Sequence, residues 1–506
     1  MNPKINIANA FLEVAEYYSK EQAITFEQNT WMYEEIASLV QQWGTFFHDN
    51  IKENERVLLV SENRPEIMAI YLAVAGVGGI FVPVNPQLSD IEVIDIINRT
   101  EPSYLITSSL TDERMETLCS DIDTRIQNLE NIKPNTIENG QRFPEYDEQK
   151  GCLICFSSGS TGKPKAIFAS HQNEYTSAKQ YAHLWGVNQN DVVLITSPLS
   201  FVYGLTTGCL TALFAGAHIV LDKRFHPRKA LETIEEYHVT VFIGVPTMYT
   251  MMLDVQRKAD NQYDTCSLRL MLTAGAPISN EVLDQFEKTF HIELWNFYAL
   301  SEIRPIFTFD VKKHNQFKRG ACGRKVVDVE VKLIDDHGKE IIVPGVQGEL
   351  IAKSKTLMLG YYDDEELTNA TIRDGWFYTG DLAQFDEEGN YYITGRKKEL
   401  IIRGGVNISP VEIEEHLYTN PAILEACVVG VKDKVFDEEI LAVLVLKDQA
   451  SLTEQQIREQ ASLGLAAYKV PKYVRFVDAL PKNNSGKIDK KKVKEHWESS
   501  VLQQLN

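Results

Sequence analysis

The chain has 506 residues, of which 44% are apolar and 24% charged, a composition that excludes disorder or fibrous structure for the chain as a whole. Its formal net charge of −20 disfavours nucleic acid as a partner, because the phosphate backbone repels an acidic protein. Seven cysteines without regular spacing do not make a disulfide framework and predict a reducing, cytoplasmic location.

Neither the first residues nor the longest uncharged stretch indicates export or membrane insertion. Residues 1–18 lack the basic start and apolar block of a secretory signal. Ile67–Val84 contains three glycines and a proline, which favour a buried helix ending at the glycines and a strand at Ile80–Val84. The sequence therefore predicts no membrane span.

Helical and strand patterns alternate through the first 400 residues. Apolar residues at helical spacing predict helices at Tyr33–His48, Ser89–Asn98, Pro227–Tyr237 and Asn280–Phe290. Short apolar runs predict strands at Arg56–Val60, Tyr104–Ile106, Val192–Ile195, His218–Leu221, Thr240–Ile243 and Leu268–Thr273. This alternation predicts α/β layering with largely parallel sheets.

Two other patterns follow. Asp328–Ile334 and Gly348–Ala352 flank an Asp-Asp-His-Gly turn and predict antiparallel β structure. Beyond residue 398 a small α+β pattern predicts helices at Pro410–Leu417 and Thr453–Ala461, and strands at Ala426–Val431, Ile440–Leu446 and Tyr473–Phe476. The charge changes at the same place, since residues 1–397 carry 36 basic and 55 acidic side chains and residues 398–506 carry 15 and 16. We predict two domains, 1–397 and 398–506.

The strongest local signal is the run Phe156-Ser-Ser-Gly-Ser-Thr-Gly-Lys-Pro-Lys-Ala166, directly after an apolar strand. Its glycines let backbone N–H groups converge and its hydroxyls add donors, so the loop can hold phosphate. It is not a Walker loop, which needs Gly at Ser157 and Ser or Thr at Pro164. A flexible surface turn is the alternative, but it does not explain the Lys-Pro-Lys that follows.

Cys152 and Cys155 form an isolated Cys-x-x-Cys within the apolar run before this loop. Because no second pair completes a metal site, packing in the core is favoured over redox or metal chemistry. We predict that both thiols lie in the core.

The loop Ser157–Lys165 resembles the phosphate-binding signature of the adenylate-forming superfamily, which contains acyl- and aryl-CoA ligases, luciferases and stand-alone adenylation enzymes. Ala166 replaces the usual Gly. The resemblance covers nearly the whole chain through further motifs in the expected order: Phe81-Val-Pro-Val-Asn-Pro86, Thr273-Ala-Gly-Ala-Pro277, Phe297-Tyr-Ala-Leu-Ser-Glu302, Tyr378-Thr-Gly-Asp381, Gly395-Arg-Lys-Lys-Glu399, Gly404-Gly-Val-Asn-Ile-Ser-Pro410 and Pro481-Lys-Asn-Asn-Ser-Gly-Lys487. It implies a large N-terminal domain of layered α/β subdomains with a small β-barrel-like part, and a small mobile α+β C-terminal domain.

The resemblance also implies a site for ATP. Tyr298 would stack on adenine, Asp381 would accept the ribose hydroxyls, and Arg396 would contact ribose or phosphate oxygens. The structural alternatives are a core tyrosine at 298 and a simple turn at Thr379-Gly-Asp381. The other ATP-binding residues implied are Ser157, Ser158, Gly159, Ser160, Thr161, Gly162, Lys165, Gly275, Ala276 and Pro277.

Three residues are implied in the chemistry itself. Glu302 would give an oxygen ligand to Mg²⁺ on the triphosphate, and Ser301 a hydroxyl to the α-phosphate. Lys487 matches the family's adenylation lysine and would stabilise the transferring phosphoryl group. A lone Glu is usually a solvated surface charge. A solvated face is our interpretation for the other lysines of the tail, Lys482, Lys490, Lys491, Lys492 and Lys494.

The second half-reaction needs a thiol to approach from the side that Lys487 and its domain would block. The resemblance implies rotation of the C-terminal domain about Lys398, after which the Gly404-Gly405 loop lines the thiol channel. Some family members hold CoA at positions similar to Phe436, Tyr468 and Lys472. Val470 departs from that pattern, because it stands where such members can have a cation.

The segment Pro198-Leu-Ser-Phe-Val-Tyr-Gly204 matches the family's acyl pocket, with Phe201 at a position usually held by His or an aromatic gate. Val202 stands where amino-acid-activating members place Asp, so a free amino acid is not expected as substrate. Ala299 replaces a common Gly and would narrow the pocket against long chains. Arg304 is either solvent-facing or meets a second carboxylate on a dicarboxylic or keto acid. The remaining wall residues are apolar: Val245, Ala274, Leu300, Ile303 and Ile306.

These features predict an ATP-dependent acid–CoA ligase that adenylates a medium-chain or aromatic carboxylic acid and transfers the acyl group to CoA. Two other functions stay open, an adenylating enzyme that loads a carrier-protein thiol and a sensor of acyl adenylate without turnover. The presence of Lys487, Glu302 and Asp381 argues against the sensor. A hydrolase is not expected, because the Gly-x-Ser-x-Gly elbow is absent.

Overall fold

The computed structural model describes residues 4–108, 118, 124–134, 142–157, 164–259, 262–276, 278, 280–313, 318–433, 435–447, 449–482 and 487–505. The helices are α1 (Ile7–Tyr17), α2 (Tyr33–Asn50), α3 (Glu66–Gly76), α4 (Asp90–Thr100), α5 (His171–Trp185), α6 (Thr211–Phe214), α7 (Pro227–Tyr237), α8 (Pro246–Lys258), α9 (Asn280–Phe290), α10 (Glu365–Thr371), α11 (Pro410–Tyr418), α12 (Glu454–Gly464) and α13 (Lys490–Leu505), with a π-helical segment at Tyr203–Leu210 before α6.

The strands are β1 (Gln22–Phe26), β2 (Asn29–Met32), β3 (Arg56–Val60), β4 (Ile80–Val84), β5 (Tyr104–Thr107), β6 (Arg125–Asn128), β7 (Gly151–Ser157), β8 (Lys165–Ser170), β9 (Val192–Ile195), β10 (His218–Leu221), β11 (Val241–Gly244), β12 (Leu270–Thr273), β13 (Leu294–Asn296), β14 (Phe307–Thr308), β15 (Arg324–Lys325), β16 (Glu330–Ile334), β17 (Gly348–Lys353), β18 (Gly360–Tyr361), β19 (Ile372–Arg373), β20 (Trp376–Phe385), β21 (Tyr391–Arg396), β22 (Ile401–Arg403), β23 (Val406–Ile408), β24 (Ile423–Asp433), β25 (Asp437–Leu446) and β26 (Tyr473–Phe476).

Two seven-stranded sheets form the framework of the N-terminal domain. The first has the order β13-β12-β11-β9-β10-β1-β2 and is parallel except for β2 at its edge. The second has the order β18-β8-β7-β4-β3-β5-β6 and is parallel from β7 to β6. A single apolar core contains residues of both sheets and of helices α2, α3 and α5, for example Phe47, Tyr71 and Trp185. The predicted α/β layering with largely parallel sheets is confirmed.

The bounds predicted from periodicity agree with the structure and differ only at element ends. Helices α7 and α9 and strands β3, β9 and β10 begin and end at the predicted residues. The largest difference is β24, predicted over Ala426–Val431 and observed over Ile423–Asp433. At its C-terminal end the added residues Lys432 and Asp433 are held by the ladder with β25 and carry no apolar signal. At its N-terminal end Ile423 and Leu424 are apolar but are separated from the predicted run by Glu425. None of the helices described is long and apolar enough to cross a membrane.

The β structure of residues 330–396 and the domain after it are separate units of pairing. The sheet β16-β17-β20-β19, with β21 on β20, is antiparallel, as predicted for the segments at residues 328–334 and 348–352. The sheet β23-β22-β25-β24, with β26 beside β25, has its own apolar cores around Ile413 and Cys427. The first unit ends at Arg396 and the second begins at Ile401, and a boundary at 398 stays a prediction.

The parallel sheet β13-β12-β11-β9 determines where chemistry can occur. Its strands lead directly into the segments singled out from the sequence, β9 into 198–204, β11 into Val245, β12 into Ala274 and β13 into Tyr298. Because the carboxyl ends of parallel strands meet at one edge of a sheet, these segments converge.

Candidate active site

Tyr298, Asp381 and Arg396, from distant parts of the sequence, form one continuous polar contact. The Tyr298 hydroxyl donates to Oδ2 of Asp381 at 2.5 Å, and Nε of Arg396 lies 3.0 Å from Oδ1 of Asp381. The antiparallel pairing of β20 with β21 places Asp381 directly opposite Arg396, so the register of this hairpin sets the contact. A carboxylate has about four acceptor positions, so Asp381 keeps acceptors for ribose hydroxyls.

The Tyr298 ring is packed on one side. It stacks on Phe307 with a centroid distance of 5.7 Å and is 9% exposed. Burial, and then the Asp381 charge, raise the pKa of Tyr298 well above its ordinary value, so its hydroxyl stays a donor. The alternative of a core tyrosine thus applies to the face of the Tyr298 ring that packs against Phe307. Stacking of adenine on the rest of the ring remains a proposal.

Lys487 lies in the same site although it comes from the end of the C-terminal domain. Gly275 has a φ of +90°, and a Cβ on it would come within 3.0 Å of Lys487 Cε and 3.1 Å of Nζ. Desolvation of the ammonium group and the charge of Arg396 lower the pKa of Lys487 to about 8, opposed by Asp381 and Glu302. The C-terminal domain therefore delivers a positive charge to the predicted nucleotide residues.

Tyr361 connects Glu302 to Lys165 and was not selected by the sequence analysis. Its hydroxyl donates to Oε1 of Glu302 at 2.9 Å and accepts from Nζ of Lys165 at 3.3 Å. The Lys165 Nζ also lies 4.9 Å from the centroid of the Tyr361 ring. This contact spans 196 residues and depends on the pairing of β18 with β8, so no local motif reveals it.

Tyr361→Phe is expected to slow acid-dependent pyrophosphate release about 10- to 100-fold. The variant removes one hydrogen bond to each of two charged groups, and such bonds contribute about 1.5–3 kcal/mol. Tyr362→Phe is the matched control. Tyr362 is the next residue in the chain, and its ring packs on Phe168. Equal losses in both variants would contradict the assignment.

Glu302 is the residue that could hold a metal ion at this site. Among the residues that the structure describes, no group of three or more His, Cys, Asp or Glu side chains could hold a metal ion. Mg²⁺ in nucleotide enzymes is commonly held by one or two carboxylates together with substrate phosphates and water. One carboxylate, that of Glu302, fits that donor set.

Part of the predicted phosphate loop lies outside the described residues, namely Ser158, Gly159, Ser160, Thr161 and Gly162, and so does Pro277 of the later motif. The loop's two ends are described, with Ser157 closing β7 and Lys165 opening β8 directly opposite it. Ala276 follows Gly275 and is partly buried. Cys152 and Cys155, on β7, are buried in the core as predicted.

The predicted acyl-pocket residues fall into two groups. Phe201, Ala299 and Leu300 are partly exposed, whereas Val202, Val245 and Ala274 retain only a few per cent of their surface. All six lie at the carboxyl edge of the first sheet. Ile303 and Ile306 are fully buried in the main core and are not on an open wall, which corrects their assignment.

Neither prediction for Arg304 describes what the structure shows. The side chain is 2% exposed, so the solvent-facing alternative is wrong. Its Nη2 donates to Oε1 of Glu174, a residue of α5 that is itself fully buried, and its Nη1 donates to the Ser301 carbonyl at 2.7 Å. The Arg304 guanidinium already pairs with the Glu174 carboxylate, so this residue gives no support for a dicarboxylic or keto-acid substrate.

The residues predicted to bind CoA gather partly around one turn of the C-terminal domain. Gly404 and Gly405 have φ of +57° and +83°, and the Gly404 N–H donates to the Phe436 carbonyl at 2.9 Å. A Cβ on Gly404 would lie 3.1 Å from the Phe436 ring. Lys472 Nζ lies 2.8 Å from Asp433, so CoA phosphate would compete with that carboxylate, and Tyr468 is exposed.

The residues beside Lys398 are bound to different domains. Lys397 Nζ lies 3.0 Å from Glu349 of β17. The Glu399 carboxylate lies 3.3 Å from Nζ of Lys490 on α13. Lys490 also pairs with Glu414 at 3.2 Å, so its predicted solvated face is wrong. Glu399 also lies 3.9 Å from Arg396 of β21, so ion pairs to both domains meet at residues 397–399.

Comparison with known proteins agrees with this geometry. The profile of the AMP-binding enzymes matches residues 11–362, and that of the AMP-binding enzyme C-terminal domain matches residues 412–487. The chain therefore belongs to the family of AMP-binding enzymes, and the resemblance inferred from the motifs is confirmed.

Individual relatives match almost the whole chain. An indoleacetate–CoA ligase from Aromatoleum aromaticum is 31% identical over 94% of this chain and 94% of that protein. A long-chain-fatty-acid–CoA ligase from Bacillus subtilis is 29% identical over 97% of this chain and 95% of that protein. The structure of ATP-bound MatB from Rhodopseudomonas palustris has a TM-score of 0.89 at 26% identity, over 98% of this chain and 99% of that one.

Proposed function

We propose that this AMP-binding enzyme is an ATP-dependent acid–CoA ligase, which forms an acyl adenylate from a carboxylic acid and then a thioester with CoA. The observation that carries the proposal is the position of Lys487 against Gly275, within electrostatic reach of Arg396, Asp381 and Glu302. That arrangement places a C-terminal lysine where a transferring phosphoryl group needs positive charge. Relatives named as CoA ligases along nearly the full chain support the choice of CoA.

Adenylation solves a leaving-group problem, because oxide is a poor leaving group and AMP is a good one. The acid's carboxylate attacks the α-phosphorus of ATP, the bond to pyrophosphate breaks, and Lys487 stabilises the charge that develops. Mg²⁺, held by Glu302 and the phosphates, would neutralise negative charge on the triphosphate. Asp381 and Arg396 orient the ribose, and Tyr361 holds the Glu302 carboxylate in place.

The second step requires the thiol to reach the acyl carbonyl. We propose that the C-terminal domain rotates at Lys398, which withdraws Lys487 and brings the Gly404-Gly405 turn to the site. Lys398 is flanked by Lys397, which pairs with Glu349, and by Glu399, which pairs with Lys490. These ion pairs support a pivot at Lys398.

A screen of short, medium, long and aromatic acids, assayed for pyrophosphate release with and without CoA, tests the function. We expect acid-dependent pyrophosphate release and CoA-dependent thioester formation. Thioester formation on a carrier protein but not on CoA would favour the carrier-loading alternative. Absence of acid-dependent release from every acid would contradict the proposal.

Ala299→Gly is expected to shift the preferred acid towards longer or bulkier chains. We propose a medium-chain or aromatic acid bound by apolar contact with Phe201, Val202 and Leu300, where each methylene that fits contributes about 0.8 kcal/mol, roughly fourfold in kcat/KM. The gain should stop at the wall formed by Ala299. A wild-type preference for acids of about sixteen or more carbons, unchanged in Ala299→Gly, would show that the pocket floor lies elsewhere.

The kcat/KM of adenylation is expected to fall as the pH rises through about 8. Lys487 contributes positive charge only when protonated, and its lowered pKa of about 8 means that the charge is lost above that pH. Thioester formation from a supplied acyl adenylate should lack this limb, since Lys487 is not needed there. The same alkaline limb in both half-reactions would contradict the assignment.

A further inference from the structure

A buried polar cluster, consisting of Tyr71, Glu174, Thr206 and Arg304, lies beneath the site and belongs to none of the motifs. Each of its four residues comes from a different segment: α3, α5, the π-helical segment and the loop after Glu302. Oε2 of Glu174 accepts from the Tyr71 hydroxyl at 3.1 Å and from the Thr206 hydroxyl at 2.6 Å. Oε1 of Glu174 accepts from Nη2 of Arg304.

The cluster ends on the backbone of the turn that contains Ser301 and Glu302. Nη1 of Arg304 donates to the Ser301 carbonyl at 2.7 Å, and the Ser177 hydroxyl of α5 donates to the Arg304 carbonyl at 2.8 Å. The turn is closed by backbone hydrogen bonds between Leu300 and Ile303 in both directions. Ser301 and Glu302, the residues of this turn that face the phosphates in the proposed function, are thus supported from below by Arg304.

Stability alone does not account for this pair. Taking two charges out of water costs about as much as their attraction returns, and well-packed apolar residues in their place are often neutral or stabilising. An apolar pair, however, cannot donate to the Ser301 carbonyl. The feature that only the arginine supplies is a directed bond to the turn that carries Glu302.

We propose that Arg304 is a positioning residue for the Ser301–Glu302 turn, and that Glu174 holds its guanidinium in place. This inference rests on the proposed function, because it concerns the carboxylate that would meet Mg²⁺ on ATP. Thr206 belongs to the π-helical segment after Phe201 and donates to Glu174 in the same cluster. The cluster therefore contacts both the segment proposed to bind the acid and the turn proposed to meet the phosphates.

The double variant E174Q/R304M tests the proposal without leaving an unpaired buried charge. The glutamine keeps an acceptor for Tyr71 and Thr206, and the methionine fills the space of the arginine stem. Loss of residues that support a metal ligand commonly costs about 10- to 100-fold in metal affinity. We therefore expect Mn²⁺, titrated by electron paramagnetic resonance with a non-hydrolysable ATP analogue, to bind about 10- to 100-fold more weakly, whereas AMP binding without metal stays near the wild-type value.

The pair Asp191–Arg269 provides a matched control. Asp191 is 3% exposed in its side chain, lies 2.6 Å from Arg269, and sits at the amino-terminal ends of β9 and β12, at the opposite edge of the first sheet from the site. D191N/R269M makes the same chemical change there. It should lower the melting temperature but leave Mn²⁺ affinity and the KM for ATP at wild-type values.

Equal Mn²⁺ affinity in E174Q/R304M and wild type, or an equal loss in D191N/R269M, would overturn the proposal. R304K, which keeps a charged donor, should recover part of the metal affinity, and failure to exceed E174Q/R304M would also count against it. Because the titration needs neither acid nor CoA, it separates this inference from the proposed function. If wild type adenylates no acid, the function fails while the metal comparison still stands.

Discussion

Lys487→Ala is expected to lower the rate of acyl-adenylate formation by about 10²–10³-fold, the cost of removing one preorganised charge from a phosphoryl-transfer site. In the structure Lys487 is packed against Gly275, and its pKa responds to the charges of Arg396, Asp381 and Glu302, which supports the role proposed for its ammonium in the first half-reaction. Thioester formation from a supplied acyl adenylate should be nearly unchanged. The measurement is pyrophosphate release for the first step and thioester yield for the second.

Lys491→Ala is the matched control. Lys491 lies in the same tail and is largely exposed, and its ammonium lies 3.8 Å from Glu495. It should leave both half-reactions at the wild-type rate. A parallel loss of both half-reactions in Lys487→Ala would mean that one conformation serves both steps.

Lys398→Pro is expected to preserve adenylation and to slow the overall reaction to thioester. Residue 398 lies in the 3₁₀ turn Lys397–Glu399, whose φ of about −50° to −70° suits proline at that position, so any loss of adenylation should come from the restriction that the ring places on Lys397 before it. The rotation that we propose for the C-terminal domain would require a different backbone conformation there. A strain of about 1.4 kcal/mol on the rotated state is sufficient to slow thioester formation tenfold.

Lys398→Ala separates the backbone from the side chain. It removes the Lys398 ammonium but keeps the freedom of φ, so both half-reactions should stay close to wild type. If Lys398→Ala is as slow as Lys398→Pro, the side chain acts in catalysis and residue 398 is not simply a pivot. Normal overall turnover in Lys398→Pro would rule out a hinge at this position.

Sequence periodicity predicted the helices and strands because each element's own apolar residues mark the face that it buries. Strands such as β9 and helices such as α9 are marked by apolar spacing, and the motifs around Asp381 and Lys487 are short and ordered along the chain. What could not be predicted depends on contacts between distant segments. Tyr361 meets Glu302 and Lys165 only because β18 pairs with β8, and a lone tyrosine carries no signal of that pairing.

Arg304 shows the same limit from the other side. An arginine near a predicted site is expected to face solvent or substrate, because a buried arginine without a partner is too costly. Its partner, Glu174, lies 130 residues earlier, in a helix whose start gives no indication of an ion pair. Only the packing of α5 beneath the Glu302 turn brings the two charges together. Lys490 escaped prediction for the same reason, because Glu399 and Glu414 approach it from other segments.

The Glu174–Arg304 pair restricts how this sequence can change over evolutionary time. Losing one partner leaves an unpaired charge among Tyr71, Thr206 and the core, which costs about 3–5 kcal/mol, a large part of the 5–15 kcal/mol that keeps a typical protein folded. Neither residue can therefore be replaced alone, and replacing both with apolar residues keeps the fold but loses the bond to the Ser301 carbonyl. A lineage that acquired the pair must keep it or lose both members nearly at once, so descendants should carry either both charges or neither.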